Sequence, residues 1–362
     1  MKLYTFYLIL ISLAVQAGEA SPGYISTYRD KISEAETFTD LKNTGYATPK
    51  GATVKVINQN NSSKWQYPNL IEPDELLGIK SKKLIQSRNI LRNEKEIFYD
   101  AVYSTDEYSR RITEASPKVK YKKFLALFGC SFVFGIGLND NQTLNSLITH
   151  KQSEYFAYNY GIPAVGTNVF LAQARSIDFK KEIPQASGAF VYVFFSAHVD
   201  RSLIKWPSLT WNAGTPYFKK DGEGKMQNAG NVLQSNPIWY YVLRTYGRLL
   251  NDSFLKNSVT PALNSRDYEY ACRLVVAARD EFNRKAPDSK FIFFGHPFGG
   301  IDPVLEHCLV ENGIKVHQGK LTRADRSDPQ NIYHISFDRH PNETLNREFA
   351  DQILDVVNQE LK

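Results

Sequence analysis

The run Gly188–Ser196 (GAFVYVFFS) constrains this chain most. It is the most apolar, aromatic and β-rich stretch of the sequence, and polar residues do not alternate through it. Such a run reads as a strand buried on both faces. Lys123–Phe128 (KFLALF), Tyr155–Tyr160 and Lys290–Gly295 (KFIFFG) are of the same kind. Between and after them lie helical stretches at Gln142–Lys151, Val169–Ile177, Pro237–Leu250, Tyr268–Lys285 and Asn342–Leu361. Pro341 and Asn342 are suitable start signals for the last of these. Strands alternating with helices predict an α/β fold around a mostly parallel sheet, from about residue 121 onward.

The 362 residues allow one large domain or two. With 42% hydrophobic and 23% charged residues, the chain is neither collagen-like nor disordered. Lys and Arg total 44 against 38 Asp and Glu, a formal net charge of +6, and no basic block is dense enough to suggest a nucleic-acid partner. Three cysteines and no C-x-x-C pair argue against a disulfide scaffold and a structural zinc site.

Residues 1–20 read as a secretory signal peptide. Lys2 supplies the positive start, Leu3–Val15 a short apolar run, and Ala17, Gly18 and Ala20 the small residues before cleavage. The alternative is an uncleaved membrane anchor. On the first reading the mature protein is secreted or periplasmic and has no membrane association. In an oxidising compartment Cys272 and Cys308 can pair, which leaves Cys130 over. Sequons, among them those at Asn61, Asn141, Asn251 and Asn342, matter only in a eukaryotic host.

Residues 21–120 form a β-rich lead-in, with strand candidates at Ala52–Asn58, Glu94–Ser104 and Arg110–Thr113 and a turn at Asn60–Ser63. Residues 203–235 interrupt the α/β rhythm. They hold Trp206, Trp211 and a Lys-Lys-Asp-Gly-Glu-Gly-Lys turn at 219–225 that suggests a hairpin. This insertion is expected over the carboxyl edge of the sheet, where ligands of open α/β sheets bind.

Two places suggest chemistry. Ser131 follows a buried strand through Gly129 and Cys130, where a nucleophile would stand, though many strand ends carry serine. Asp338 and His340, two apart, share one side of an extended segment. A carboxylate there can fix the imidazole tautomer; the bland reading is a surface Asp and a helix-capping His.

Taken together these stretches resemble the bacterial SGNH (GDSL-like) hydrolases over roughly residues 121–362. Phe128-Gly-Cys-Ser131 through Asp140 is similar to their first block, and Tyr158 through Asn168 to the second. Ser196 through Arg201 stands where the third belongs. Phe337-Asp338-Arg-His340-Pro-Asn342 is similar to the last. The resemblance implies a flavodoxin-like three-layer α/β/α fold and a serine hydrolase that needs no metal or cofactor. In that reading Ser131 is the nucleophile, His340 the general base and then acid, and Asp338 its orienter.

The oxyanion hole implied by the resemblance uses the Ser131 N–H, a second-block N–H and a third-block side chain. The usual second-block glycine aligns with Ala164 or, with a shift, Gly166. The usual asparagine is replaced by His198, which either takes over as donor or is a structural histidine. Arg201, Trp206, Trp211 and His296 are candidate substrate contacts, each with a structural alternative. The substrate implied is a small-molecule or polysaccharide O-acyl ester. Two activities share these residues, an esterase and an O-acyltransferase. A non-catalytic carbohydrate-binding or envelope-assembly protein on the same fold is the reading of another class.

Overall fold

The computed structural model describes residues 34–38, 70–92, 97–115, 121–205, 214–242, 245, 262–322, 332–335 and 338–361. The expected leader at 1–20, the strand at 52–58, the turn at 60–63, and Trp206 and Trp211 lie outside them.

The chain opens with five short strands: β1 (Glu34–Phe38), β2 (Ile71–Asp74), β3 (Gly78–Ser81), β4 (Gln86–Arg92) and β5 (Ile97–Ser104). β2 and β3 form an antiparallel hairpin, and β1, β4 and β5 an antiparallel sheet in that order. The expected strand at 110–113 does not form. Arg111 makes only isolated bridges, to Thr105 and to Asn159. Both arginines here turn their side chains into the protein, where they find partners that a strand would not reach.

The central sheet has five parallel strands: β6 (Lys123–Phe128), β7 (Tyr155–Asn159), β8 (Ser187–Phe194), β11 (Lys290–Gly295) and β12 (Val316–Gln318). Their order from one edge is β7-β6-β8-β11-β12. Counted along the chain that is second, first, third, fourth, fifth, the flavodoxin-like order. The edge strand β12 was not anticipated, because three residues, two half-buried and one exposed, carry no periodicity to read.

Seven helices matter for the site: α1 (Ser131–Phe134), α2 (Leu144–Lys151), α3 (Thr167–Ser176), α4 (Ala197–Arg201), α5 (Ser265–Lys285), α6 (Pro303–Glu311) and α7 (Glu343–Glu360). Alternate residues of β6 build two cores, as the two-residue period of a strand requires. Phe124, Ala126 and Phe128 pack with Phe170 of α3 and Leu274 and Phe282 of α5. Leu125 and Leu127 pack with Leu147 of α2 and Phe349 and Ile353 of α7. Helices thus cover both faces, and the architecture is three-layered. α5 and α6 are joined by a Cys272–Cys308 disulfide, while Cys130 is buried and free.

The expected hairpin is present as β9 (Pro216–Lys220) and β10 (Met226–Asn231). It does not roof the carboxyl edge. Asn168, near the start of α3, donates to the Pro216 carbonyl at 2.7 Å, and Arg175, near its end, donates to Met226 at 2.6 Å. Tyr270 of α5 donates to Phe218 at 3.0 Å. The hairpin therefore runs along the outside of the α3–α5 layer, where burying Phe218 is more favourable than leaving it over an open edge.

Candidate active site

β6 and β8 are neighbours in the sheet, but the chain leaves them toward opposite edges. The crevice at their carboxyl ends is the topological switch point of this fold. Ser131 stands there, three residues past the end of β6, at the first position of α1.

The structure brings Ser131, His340 and Asp338 together. His340 Nδ1 lies 2.6 Å from Asp338 Oδ2, and His340 Nε2 lies 2.9 Å from Ser131 Oγ. A carboxylate only accepts, so Nδ1 carries the proton and donates. Nε2 is then the acceptor for the Ser131 hydroxyl, as a general base must be. All three residues are buried.

The Asp338–His340 segment is not the extended stretch that the spacing suggested. Arg339 adopts a left-handed backbone with φ 59°, and its N–H donates to the Ile335 carbonyl at 3.0 Å. The Ile335 N–H in turn donates to the His340 carbonyl at 2.8 Å. A closed turn, rather than strand alternation, puts both side chains on the same side.

Two of the expected oxyanion donors have suitable backbones. The N–H groups of Ser131 and Gly166 have no hydrogen-bond acceptor among the described residues. Gly166 is pressed against α4: a Cβ there would stand 2.8 Å from the His198 carbonyl oxygen and 2.7 Å from Ser202 Oγ, so only glycine fits. Ala164 is left-handed, with φ 64°, a conformation that glycine ordinarily supplies.

His198 does not fit the oxyanion role. Its Nδ1 accepts from the Phe195 N–H at 3.3 Å and lies 2.9 Å from the Tyr192 hydroxyl. The proton therefore sits on Nε2, which is buried and has no hydrogen-bond partner among the described residues. A substrate oxygen cannot reach an atom with no accessible surface. Burial, and secondarily Arg201, hold this imidazole well below its ordinary pKa, so it stays neutral. His198 packs in the core against the rings of Tyr192 and Phe194.

His296 is likewise buried, with Nδ1 accepting the Phe298 N–H at 3.2 Å. Burial pushes its pKa down to about 3, and it lies beneath the site as a packed ring rather than as a substrate contact. Arg201 donates to the Val165 carbonyl at 3.4 Å, on the loop that leads into Gly166.

Sequence reasoning missed two sets of residues. Arg111 is fully buried and donates to the carbonyls of Phe134 (3.0 Å), Gly135, Leu138 and Val102, and to Asp140 Oδ1 (3.0 Å). It thereby fixes the 134–140 loop that follows the serine. Around the triad stand the partly exposed rings of Phe132, Phe195, Phe298 and His334. Only the position of Phe132, next to Ser131, was a signal open to sequence.

No protein family and no curated protein matches the chain by sequence. Among solved structures it is similar to an acetyl xylan esterase from the rumen bacterium Butyrivibrio proteoclasticus, at 10% identity and a TM-score of 0.39, covering 69% of this chain and 67% of that one. A lipolytic protein of the G-D-S-L family from Veillonella parvula aligns at 12% identity and a TM-score of 0.34, covering 66% of this chain and 99% of that one. A lipase/acylhydrolase from Enterococcus faecalis aligns at 10% identity and a TM-score of 0.36, covering 66% and 97%. At such identity and overlap, the chemistry of this site stands on its own geometry.

Proposed function

We propose that this chain is an exported serine esterase of the SGNH type, with Ser131, His340 and Asp338 as its triad. The observation that carries the reading is the unbroken hydrogen-bonded line from Asp338 through His340 to Ser131 at the sheet's switch point. Side chains from two distant parts of the sequence, Ser131 and the Asp338–His340 pair, do not meet in this order and tautomer for packing alone. The Cys272–Cys308 disulfide supports an oxidising compartment.

The reaction follows from the geometry. Ser131 Oγ bonds to the ester carbonyl carbon as its proton passes to His340 Nε2. The Asp338 carboxylate steadies the imidazolium that forms. The oxyanion is met by the Ser131 N–H and, in this reading, that of Gly166. The carbon–oxygen bond to the alcohol then breaks, and His340 returns the proton to the leaving oxygen. Water repeats the sequence on the acyl-enzyme, releasing a carboxylic acid and restoring Ser131. The substrate is an O-acyl ester, with an acetyl group on a carbohydrate as the first candidate.

A fluorophosphonate probe applied to fractionated cells tests this directly. It should label Ser131 on protein found outside the cytoplasm. Ser131→Ala should lose the label and at least about 10^4-fold in turnover of a short ester. Full turnover by the alanine variant would sink the assignment, and a labelled cytoplasmic form would remove the export.

A further inference from the structure

The rings beside the triad are arranged as a row. The Phe132 ring centroid is 5.5 Å from that of His340 and 6.1 Å from that of Phe298, edge to face in both cases. Phe298 is stacked on His334 at 3.9 Å with only 12° between the planes. All three members beyond His340 are partly exposed, although large apolar side chains gain by full burial. Beneath them His296 and Phe349 are buried and hold the row from below, with the His296 centroid 4.7 Å from Phe132 and 5.3 Å from Phe298.

The row lies on the side of the imidazole, which decides what it meets. His340 Nε2 must deliver its proton to the oxygen of the departing alcohol, so that oxygen comes within about 3 Å of it. Whatever carries the oxygen then lies over the rings that begin 5.5 Å from His340. The acyl substituent leaves the tetrahedral carbon along a different bond and is directed away from the departing oxygen. Aromatic faces favour flat partners with polarised C–H bonds or π faces over flexible chains.

We propose that Phe132, Phe298 and His334 form an alcohol-side subsite that selects esters whose oxygen is carried by a rigid six-membered ring with a broad C–H face, such as a pyranoside. This rests on the esterase reading, and it assigns selectivity to the leaving group rather than to the acyl chain.

The test uses two acetates with the same acyl group, a methyl O-acetyl-glucopyranoside and ethyl acetate, on wild type and Phe298→Ala. The ratio of kcat/KM for the sugar ester to that for the ethyl ester should fall roughly tenfold in the variant, a typical loss for an aromatic contact. Phe298→Leu keeps apolar bulk without the aromatic face and should show most of the same fall, which also covers a failure of the alanine variant to fold. An unchanged ratio in both variants overturns the subsite, as does a fall that follows acyl length in a propionate and butyrate series. Fluorophosphonate labelling of wild-type Ser131 is independent of the ring. Its absence would remove the esterase reading itself and is told apart from a failure of the subsite.

Discussion

A single residue, Arg339, separates the proposed base from its orienting carboxylate. Its left-handed backbone costs a non-glycine residue roughly 1–2 kcal/mol, and the cost is met by the two backbone hydrogen bonds that tie Arg339 and His340 to Ile335. The side chain is exposed, so the position is defined by its backbone. Arg339→Gly should therefore keep turnover near that of wild type. Arg339→Val, whose branched Cβ disfavours this conformation further, should lower kcat about tenfold or more and cost on the order of 1–2 kcal/mol in stability. Steady-state kinetics and urea melts of the two variants decide it; equal rates would mean that the turn does not control the dyad.

At the scale of elements, the N-terminal sheet is a brace for the loop after Ser131. Tyr99, Ala101 and Tyr103 of β5 pack with Phe134, Ile136, Leu138 and Ile335, so one apolar cluster touches both the serine loop and the turn of the base. Arg111 ties the same loop from inside. Arg111→Met removes hydrogen bonds from several buried carbonyls and leaves Asp140 buried without its cation. A loss of about 3–5 kcal/mol is expected, with kcat falling in the fraction that remains folded. Thermal melts and active-site titration measure the two effects separately. A variant as stable and active as wild type would show that the loop holds itself.

Little of this brace was legible beforehand. The four long strands were, because continuous apolar runs have few other solutions, and so were Ser131, Asp338 and His340. Arg111 was not, because most of its partners are backbone carbonyls, which any sequence supplies. For a related reason the sequence leaves His198 open between donor and structural histidine: the direction of a side chain at a strand's end depends on the helix that follows.

For the whole molecule, the two buried histidines His198 and His296 add an acid sensitivity to the fold. His296 is neutral in the fold down to about pH 3, whereas an unfolded histidine takes up a proton below about 6.5. His198 is shifted in the same direction by its burial. The unfolded chain thus binds more protons between these limits. Their contribution is fully present above about pH 6.5 and is lost as pH falls toward 3, roughly 1–2 kcal/mol for His296 by pH 5. Urea midpoints should drop between pH 7.5 and 5, and His296→Asn, which keeps an acceptor for Phe298, should flatten the drop. An equal drop in that variant would place the acid sensitivity elsewhere. The shortness of the Asp338–His340 turn has a mechanical outcome as well. Base and orienter ride on one rigid piece joined to α7, whereas the serine rides on the sheet, 209 residues away in sequence. The triad therefore has one joint, not two. A shift of the terminal helix against the sheet would open the gap between Ser131 and His340 while the Asp338–His340 pair stays closed, so loss of the proposed activity would follow a single sliding coordinate.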